Sequence, residues 1–265
     1  MGEQFAPAAH QQPWVKLAAI GLLGGFFSGM FGVGGGIVLV PLLVLVLRMP
    51  QRLASGTSLA AILPTAVAGT IGYAVQGSVD WVAAALLAAG AIAGSLLGTW
   101  LLAKLPQTVL RWMFIAFLVI VAARMFFLVP DRAASLTFDA ATIVALVALG
   151  IITGILSGLL GVGGGVIVVP ALMVLFGVGD LMAKGTSLLM MIPTSLTGTL
   201  ANTKRGNVDL KAAAIVGILA TIASTAGVAV AAIVSPQLGA ILFAILLVFS
   251  ATQLAIGAIR GRKKP

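Results

Sequence analysis

Residues 25–36 read Gly25-Phe26-Phe27-Ser28-Gly29-Met30-Phe31-Gly32-Val33-Gly34-Gly35-Gly36, and residues 154–165 read Gly154-Ile155-Leu156-Ser157-Gly158-Leu159-Leu160-Gly161-Val162-Gly163-Gly164-Gly165. The correspondence runs on without a gap. Pro41 answers Pro170, and Gly56-Thr57-Ser58-Leu59 answers Gly185-Thr186-Ser187-Leu188. Pro64-Thr65 answers Pro193-Thr194, Gly69-Thr70 answers Gly198-Thr199, and Gly77-x-Val79-Asp80 answers Gly206-x-Val208-Asp209. Roughly two in five aligned positions are identical, too many for two unrelated apolar stretches. The chain is a duplication of one unit.

The solvent of that unit follows from composition. The 265 residues are 61% hydrophobic and 8% charged, with a mean hydropathy of +1.21. A soluble domain carries about a quarter charged residues, so this chain cannot cover a water-facing surface. Its apolar runs approach the roughly 20 residues that a spanning helix needs. They lie at about 14–31, 36–48, 53–75, 81–103 and 109–129, then 140–160, 165–177, 182–203, 211–233 and 237–259. The predicted fold is all-α and polytopic, two repeats of about five helical segments each. The expected organisation is a tail over 1–13, a first repeat over 14–130, a link over 131–139, a second repeat over 140–259 and a basic tail over 260–265. The helix from Trp14 is read as retained, not as a cleaved signal peptide. The short segments at 36–48 and 165–177 either span or re-enter the membrane.

Charge orients the repeats. If each has an odd number of crossings, Lys16, Arg48, Arg52, Lys104, Arg111, Lys204, Arg205, Lys211, Arg260, Arg262, Lys263 and Lys264 share one side. Arg124, Arg132 and Lys184 fall on the other. The positive-inside rule then favours inverted repeats with both termini cytoplasmic. The same distribution explains the net charge of +9 without a nucleic-acid partner. The bilayer is the expected partner, and a homodimer is compatible with the pattern.

A run such as Gly32-Val33-Gly34-Gly35-Gly36 breaks a helix, and broken backbone inside a bilayer is tolerated only in protein or beside a polar cavity. The helix that restarts after it offers unpaired amides and a positive dipole end, a site suited to anions. Gly34, Gly35, Gly36, Gly163, Gly164 and Gly165 are the candidate substrate-binding backbone. Gly21, Gly25, Gly29 and Ser28 are better read as helix-packing positions. Thr57, Ser58, Thr186 and Ser187 either cap the helices they open or give hydroxyls to the substrate. Thr65 and Thr194, beside Pro64 and Pro193, either satisfy carbonyls freed by proline or line the pathway. Asn202, Lys204 and Arg205 read as a surface anchor that also draws anions.

The residues that are missing narrow the chemistry. There is no Cys, which excludes disulfides and thiolate metal sites. Glu3, Asp80, Asp131, Asp139, Asp180 and Asp209 are all expected in loops or tails, and the single histidine, His10, in the N-terminal tail. Without an intramembrane carboxylate, a proton relay or cation site is disfavoured, and so are an enzyme activity, a metal and a cofactor.

The doubled Gly-x-Gly-Gly-Gly, with its downstream proline, Gly-Thr-Ser-Leu and Pro-Thr, resembles the TauE/SafE sulfite exporter family over nearly the whole chain. The resemblance implies a multi-pass transporter, in the cytoplasmic membrane of a bacterium, of sulfite, sulfoacetate or other small sulfur-containing or organic anions. It carries over to the glycines at 32–36 and 161–165 and to Thr57-Ser58 and Thr186-Ser187. The resulting expectation is a secondary transporter that exports a small anion by alternating access. A selective anion channel and a non-transporting assembly subunit are the alternatives.

Overall fold

A computed structural model describes residues 14–102, 112, 115–116, 118–120, 122–123, 136, 138–160 and 163–261. The first repeat contains α1 (Trp14–Phe31), α2 (Gly36–Val46), α3 (Gln51–Val75) and α4 (Trp81–Leu102). The second contains α5 (Ala140–Leu160), α6 (Gly165–Leu175), α7 (Asp180–Lys204), α8 (Leu210–Ile233) and α9 (Pro236–Gly261). Most of the segment expected at 109–129 lies outside the described residues; the positions described between 112 and 123 are helical. Arg124 and Arg132, expected on the far side, also lie outside them.

Five described helices are long and apolar enough to cross a membrane: Trp14–Phe31, Leu53–Val75, Ala140–Gly158, Leu210–Ile233 and Pro236–Gly257. Their outward residues are the kind lipid requires. Leu22, Leu23, Ile71, Val144, Ile218, Ile222 and Phe249 are all exposed. In contrast, α2 and α6 have 11 residues each. At helical rise they reach only about 16 Å, roughly half of the hydrocarbon thickness.

The repeats embrace by exchange. Helix α1 packs most extensively on α8, and α5 on α4. The contacts are built from small residues: a methyl on Gly25 would collide with the Ala220 carbonyl, and one on Gly154 with the Ala91 carbonyl. These are the same two positions with the repeats swapped. Such close backbone approach replaces the hydrophobic driving force that helices in lipid lack. The packing reading of Gly21, Gly25 and Gly29 therefore holds.

Helices α3 and α7 cross the centre, in contact with each other and with α8 and α4 respectively. Two hydrogen bonds lock them. The Asp209 amide donates to Thr57 Oγ1, and the Asp80 amide donates to Thr186 Oγ1, both at 3.0 Å. The beginning of each central helix thus lies against the turn that follows the end of the other, so α3 and α7 run antiparallel. The same aspartates cap the next helices: Asp80 accepts from Ala83 and Asp209 from Ala212. Asp139 accepts the Thr142 amide at the start of α5, and its carboxyl lies below the ordinary range because the Thr142 hydroxyl and amide bond its charged form.

Candidate functional site

Where α1 gives way to α2, the backbone turns through the left-handed region at Gly32, Gly34 and Gly35, with φ of 68°, 71° and 71°. Gly163 and Gly164 do the same at 85° and 78°. Side-chain-bearing residues avoid this region, which accounts for glycine at these places. Gly35 and Gly164 are the N-caps of α2 and α6. The amides of Val38 and Leu39 return to the Gly35 carbonyl, and those of Ile167 and Val168 to the Gly164 carbonyl. The amides ahead of them belong to the open first turn, which has no carbonyl behind it to bond.

The two loops meet. A methyl on Gly165 would stand 2.8 Å from Val33 Cα and 2.9 Å from the Gly32 carbonyl oxygen. Two helix N-termini, each with the positive end of its dipole, therefore converge inside the protein. Ile62 of α3 and Met191 of α7, equivalent positions of the two repeats, close the space in front of them. A methyl on Gly34 would collide with Met191 Cε and stand 3.1 Å from Ile62 Cγ2. One on Gly163 would also meet Met191 and stand 3.4 Å from Ile62 Cδ1. Both side chains are fully buried.

The candidate hydroxyls separate into three kinds. Thr57 and Thr186 accept the cross-repeat amide bonds described above. They lie within α3 and α7, not at their openings, which begin at Gln51 and Asp180; neither caps its own helix. Thr65 donates to the Ala61 carbonyl, and Thr194 to those of Met190 and Met191. Their protons serve carbonyls around the prolines. Ser58 and Ser187 are buried without a hydrogen-bond partner. Each lies four residues before Ile62 or Met191, so it occupies the same helix face one turn away.

Further buried hydroxyls without a partner border the loops. Ser28 lies beside Gly35, where a methyl would stand 3.3 Å from its Cβ, and Thr153 lies beside Gly164. Ser28 belongs to the repeated motif and shares its place with Ser157. Thr153 answers Gly24, so the repeat carries no signal for it. Burying an unbonded hydroxyl costs about 1–3 kcal/mol, a cost relieved when a ligand accepts its proton. At the end of α7, Thr197, Leu200, Ala201, Lys204 and Arg205 line an open cleft of about 380 Å³.

One expectation is overturned. Asp180 does not lie in a loop; it opens α7, is buried, and pairs with buried Lys184 at 3.2 Å. The i, i+4 spacing and the preference for acid at a helix N-terminus produce this arrangement. The expected start of this segment at 182 had left Asp180 outside the helix. A buried carboxylate is therefore present one turn before Lys184, whose backbone borders Gly32.

Paired broken helices meeting inside a bundle of apolar spans define a polytopic membrane protein built to pass a solute. Comparison with known proteins makes the class specific. Residues 2–125 and 146–265 match the family model described as Sulfite exporter TauE/SafE, and the chain belongs to that family of membrane transporters. It is 26% identical over 220 residues to the probable membrane transporter protein YunE of Bacillus subtilis, covering 74% of this chain and 80% of that one. It is 28% identical to the probable membrane transporter protein YdhB of the same organism, over 70% of this chain and 77% of the relative. A probable membrane transporter protein of Xylella fastidiosa is 31% identical over 74% of this chain and 76% of its own.

Proposed function

We propose that this chain is a secondary transporter that exports a small anion, sulfite or a related sulfur oxyanion or organosulfonate, across the cytoplasmic membrane by alternating access. The observation that carries this reading is the convergence of two glycine-opened helix N-termini beside buried hydroxyls that have no protein partner. Backbone amides and dipole ends favour an oxyanion, and glycine lets it approach the backbone. Ser28, Ser58, Thr153 and Ser187 retain protons for it. The family description supplies sulfite as the substrate class.

The exchanged contacts and the antiparallel α3 and α7 support inverted repeats, the architecture in which two halves rock around a site near the midplane. The Thr57–Asp209 bond brings the turns at 46–51 and 204–210 together. Arg48, Lys204, Arg205 and Lys211 thereby gather at one end, which supports a cytoplasmic placement for it. Lys184 is buried in an ion pair and no longer counts as a loop charge on the opposite side. The side chains of Ile62 and Met191 across the loops favour a gated carrier over an open channel. A cytoplasm-negative potential favours anion exit by about 2.3 kcal/mol per charge per 100 mV.

The test is ³⁵S-sulfite flux in liposomes containing the purified protein, with and without sulfite on the opposite side. Saturable flux accelerated from the opposite side supports a carrier. Flux that rises linearly with concentration and ignores the opposite side indicates a channel, and no flux of sulfite, sulfoacetate or sulfate removes the transporter reading.

A further inference from the structure

The Asp180–Lys184 pair stands apart from the rest of the interior. Both side chains are almost wholly buried, 2% and 6% exposed. Removing two charges from water carries a penalty of several kcal/mol per ion, and a pair that only stabilises a fold recovers it by bonding its remaining oxygens and protons. Asp180 does not do so: its Oδ1 is buried with no hydrogen-bond partner. The fold of the repeat does not require the pair either. The equivalent positions of α3 carry the neutral residues Gln51 and Ser55, in a helix of the same 25-residue length.

Its place is beside the site. A methyl on Gly32, which opens the first glycine loop, would stand 2.6 Å from Lys184 Cβ and 2.8 Å from the Lys184 carbonyl oxygen. Gly185 follows on α7, and Gly239 of α9 lies near the ammonium, where a methyl would stand 3.7 Å from Nζ. Tyr73 packs against Gly185 and donates its hydroxyl to the Gly29 carbonyl at 2.7 Å. Lys184 thus has one glycine against its backbone and another near its ammonium, on the helix that carries Ser187 and Met191. Seven residues of helix separate Lys184 from Met191, about 10 Å. Lys184 lies on the stretch of α7 between Met191, which meets the glycine loops, and the helix start at Asp180.

We propose that Lys184 is a second contact for the transported anion, with Asp180 as the partner that holds its charge until the anion displaces it. This inference rests on the transporter reading above. The exchange needs no proton transfer: one carboxylate–ammonium contact is replaced by one anion–ammonium contact, and the carboxylate relaxes toward its helix N-terminus.

Neutralising both members separates this role from a structural one, because neither of the two is left charged opposite a neutral partner. Three variants, Asp180→Asn, Lys184→Arg and Asp180→Asn with Lys184→Gln, are reconstituted beside the wild type. KM for ³⁵S-sulfite is measured for each, with monodispersity in detergent as the folding control. The double variant is expected to fold and to raise KM about tenfold or more, the loss of one charge-assisted contact. Asp180→Asn, which removes the competitor and keeps the cation, is expected to lower KM several-fold, and Lys184→Arg to retain transport. A double variant with wild-type KM overturns the proposal while transport itself stands. If the double variant does not fold, Asp180→Asn decides alone, and an unchanged or raised KM overturns it. A wild type that moves none of sulfite, sulfoacetate or sulfate overturns the transporter reading and this inference with it.

Discussion

The segment from α2 to α3 and the segment from α6 to α7 have one backbone and two chemistries. Each pair joins 11 residues to 25 through a turn of the same length, starts on a left-handed glycine, and gives one threonine to the opposite repeat. The second alone carries Asp180, Lys184, Lys204 and Arg205, where the first has Gln51, Ser55, Val75 and Gln76. What the duplication preserves is therefore geometry: glycine, proline and the Thr–Asp lock. What it released is the placing of charge: Asp180, Lys184 and Lys204 on α7, against Arg48 before α3 and Arg52 within it. If the proposed anion site is correct, the repeated frame would offer an anion two related glycine loops and different charges along the two central helices.

The strongest challenge to two related loops is a valine at Gly35 or at Gly164. Both hold the left-handed conformation, which costs a non-glycine residue about 1–3 kcal/mol. A Cβ at Gly35 would also stand 2.8 Å from the Gly24 carbonyl oxygen, and one at Gly164 2.6 Å from Thr153 Cγ2. Either substitution is expected to abolish sulfite flux and to lower the unfolding midpoint in detergent. Flux that survives one and not the other would show that a single loop holds the anion. Next in size is Met191→Ala beside Ile62→Ala. Each opens a cavity at a cost of about 2–5 kcal/mol, and each is expected to raise passive sulfite leak from loaded liposomes by uncovering the glycine loops. Met191 reaches Gly34, Gly163 and Gly165, whereas Ile62 reaches Gly34 and Gly163, so the Met191 variant leaks more. Equal leak would make the two side chains interchangeable.

The sequence made the helices legible because apolar runs ended at glycine, proline and charge, signals that are local. Helix α1 is found at 14–31 as expected, and α2 and α6 begin at Gly36 and Gly165. The glycine loops were legible for the same reason, since a broken helix is a property of consecutive residues. The Thr57–Asp209 bond was not, because it joins residues 152 apart and no local pattern marks a threonine as another repeat's acceptor. Ile62 and Met191 were missed because an apolar residue in an apolar helix carries no sign of what it faces. Asp180 was misplaced by two residues of boundary, enough to turn a buried ion pair into a loop charge.

The Thr–Asp lock gives a finer test. Thr57→Val and Thr186→Val each remove the acceptor of one buried-end amide, an expected loss of about 1–2 kcal/mol in unfolding free energy. The two bonds lie at opposite ends of the bundle, so the double variant should lose the sum. A larger combined loss would mean that the ends communicate through α3 and α7.

The smallest expected effect concerns one turn. After α2, Arg48 has φ of 54° while the Met49 amide bonds the Leu43 carbonyl at 3.2 Å; after α6, Gly177 has φ of 64° while the Val178 amide bonds the Leu172 carbonyl at 3.0 Å. The turns are the same, yet one holds an arginine where glycine is at ease. A left-handed non-glycine residue costs roughly 1–2 kcal/mol, and glycine's greater freedom in the unfolded chain returns part of that. Arg48→Gly is therefore expected to stabilise the protein by up to about 1 kcal/mol in a denaturation series. Gly177 has nothing within 4 Å of a built Cβ, so Gly177→Arg should lose a similar amount through backbone strain alone. If Arg48→Gly destabilises instead, the packing of the arginine side chain outweighs its backbone strain, because its charge beside Lys204, Arg205 and Lys211 would only repel.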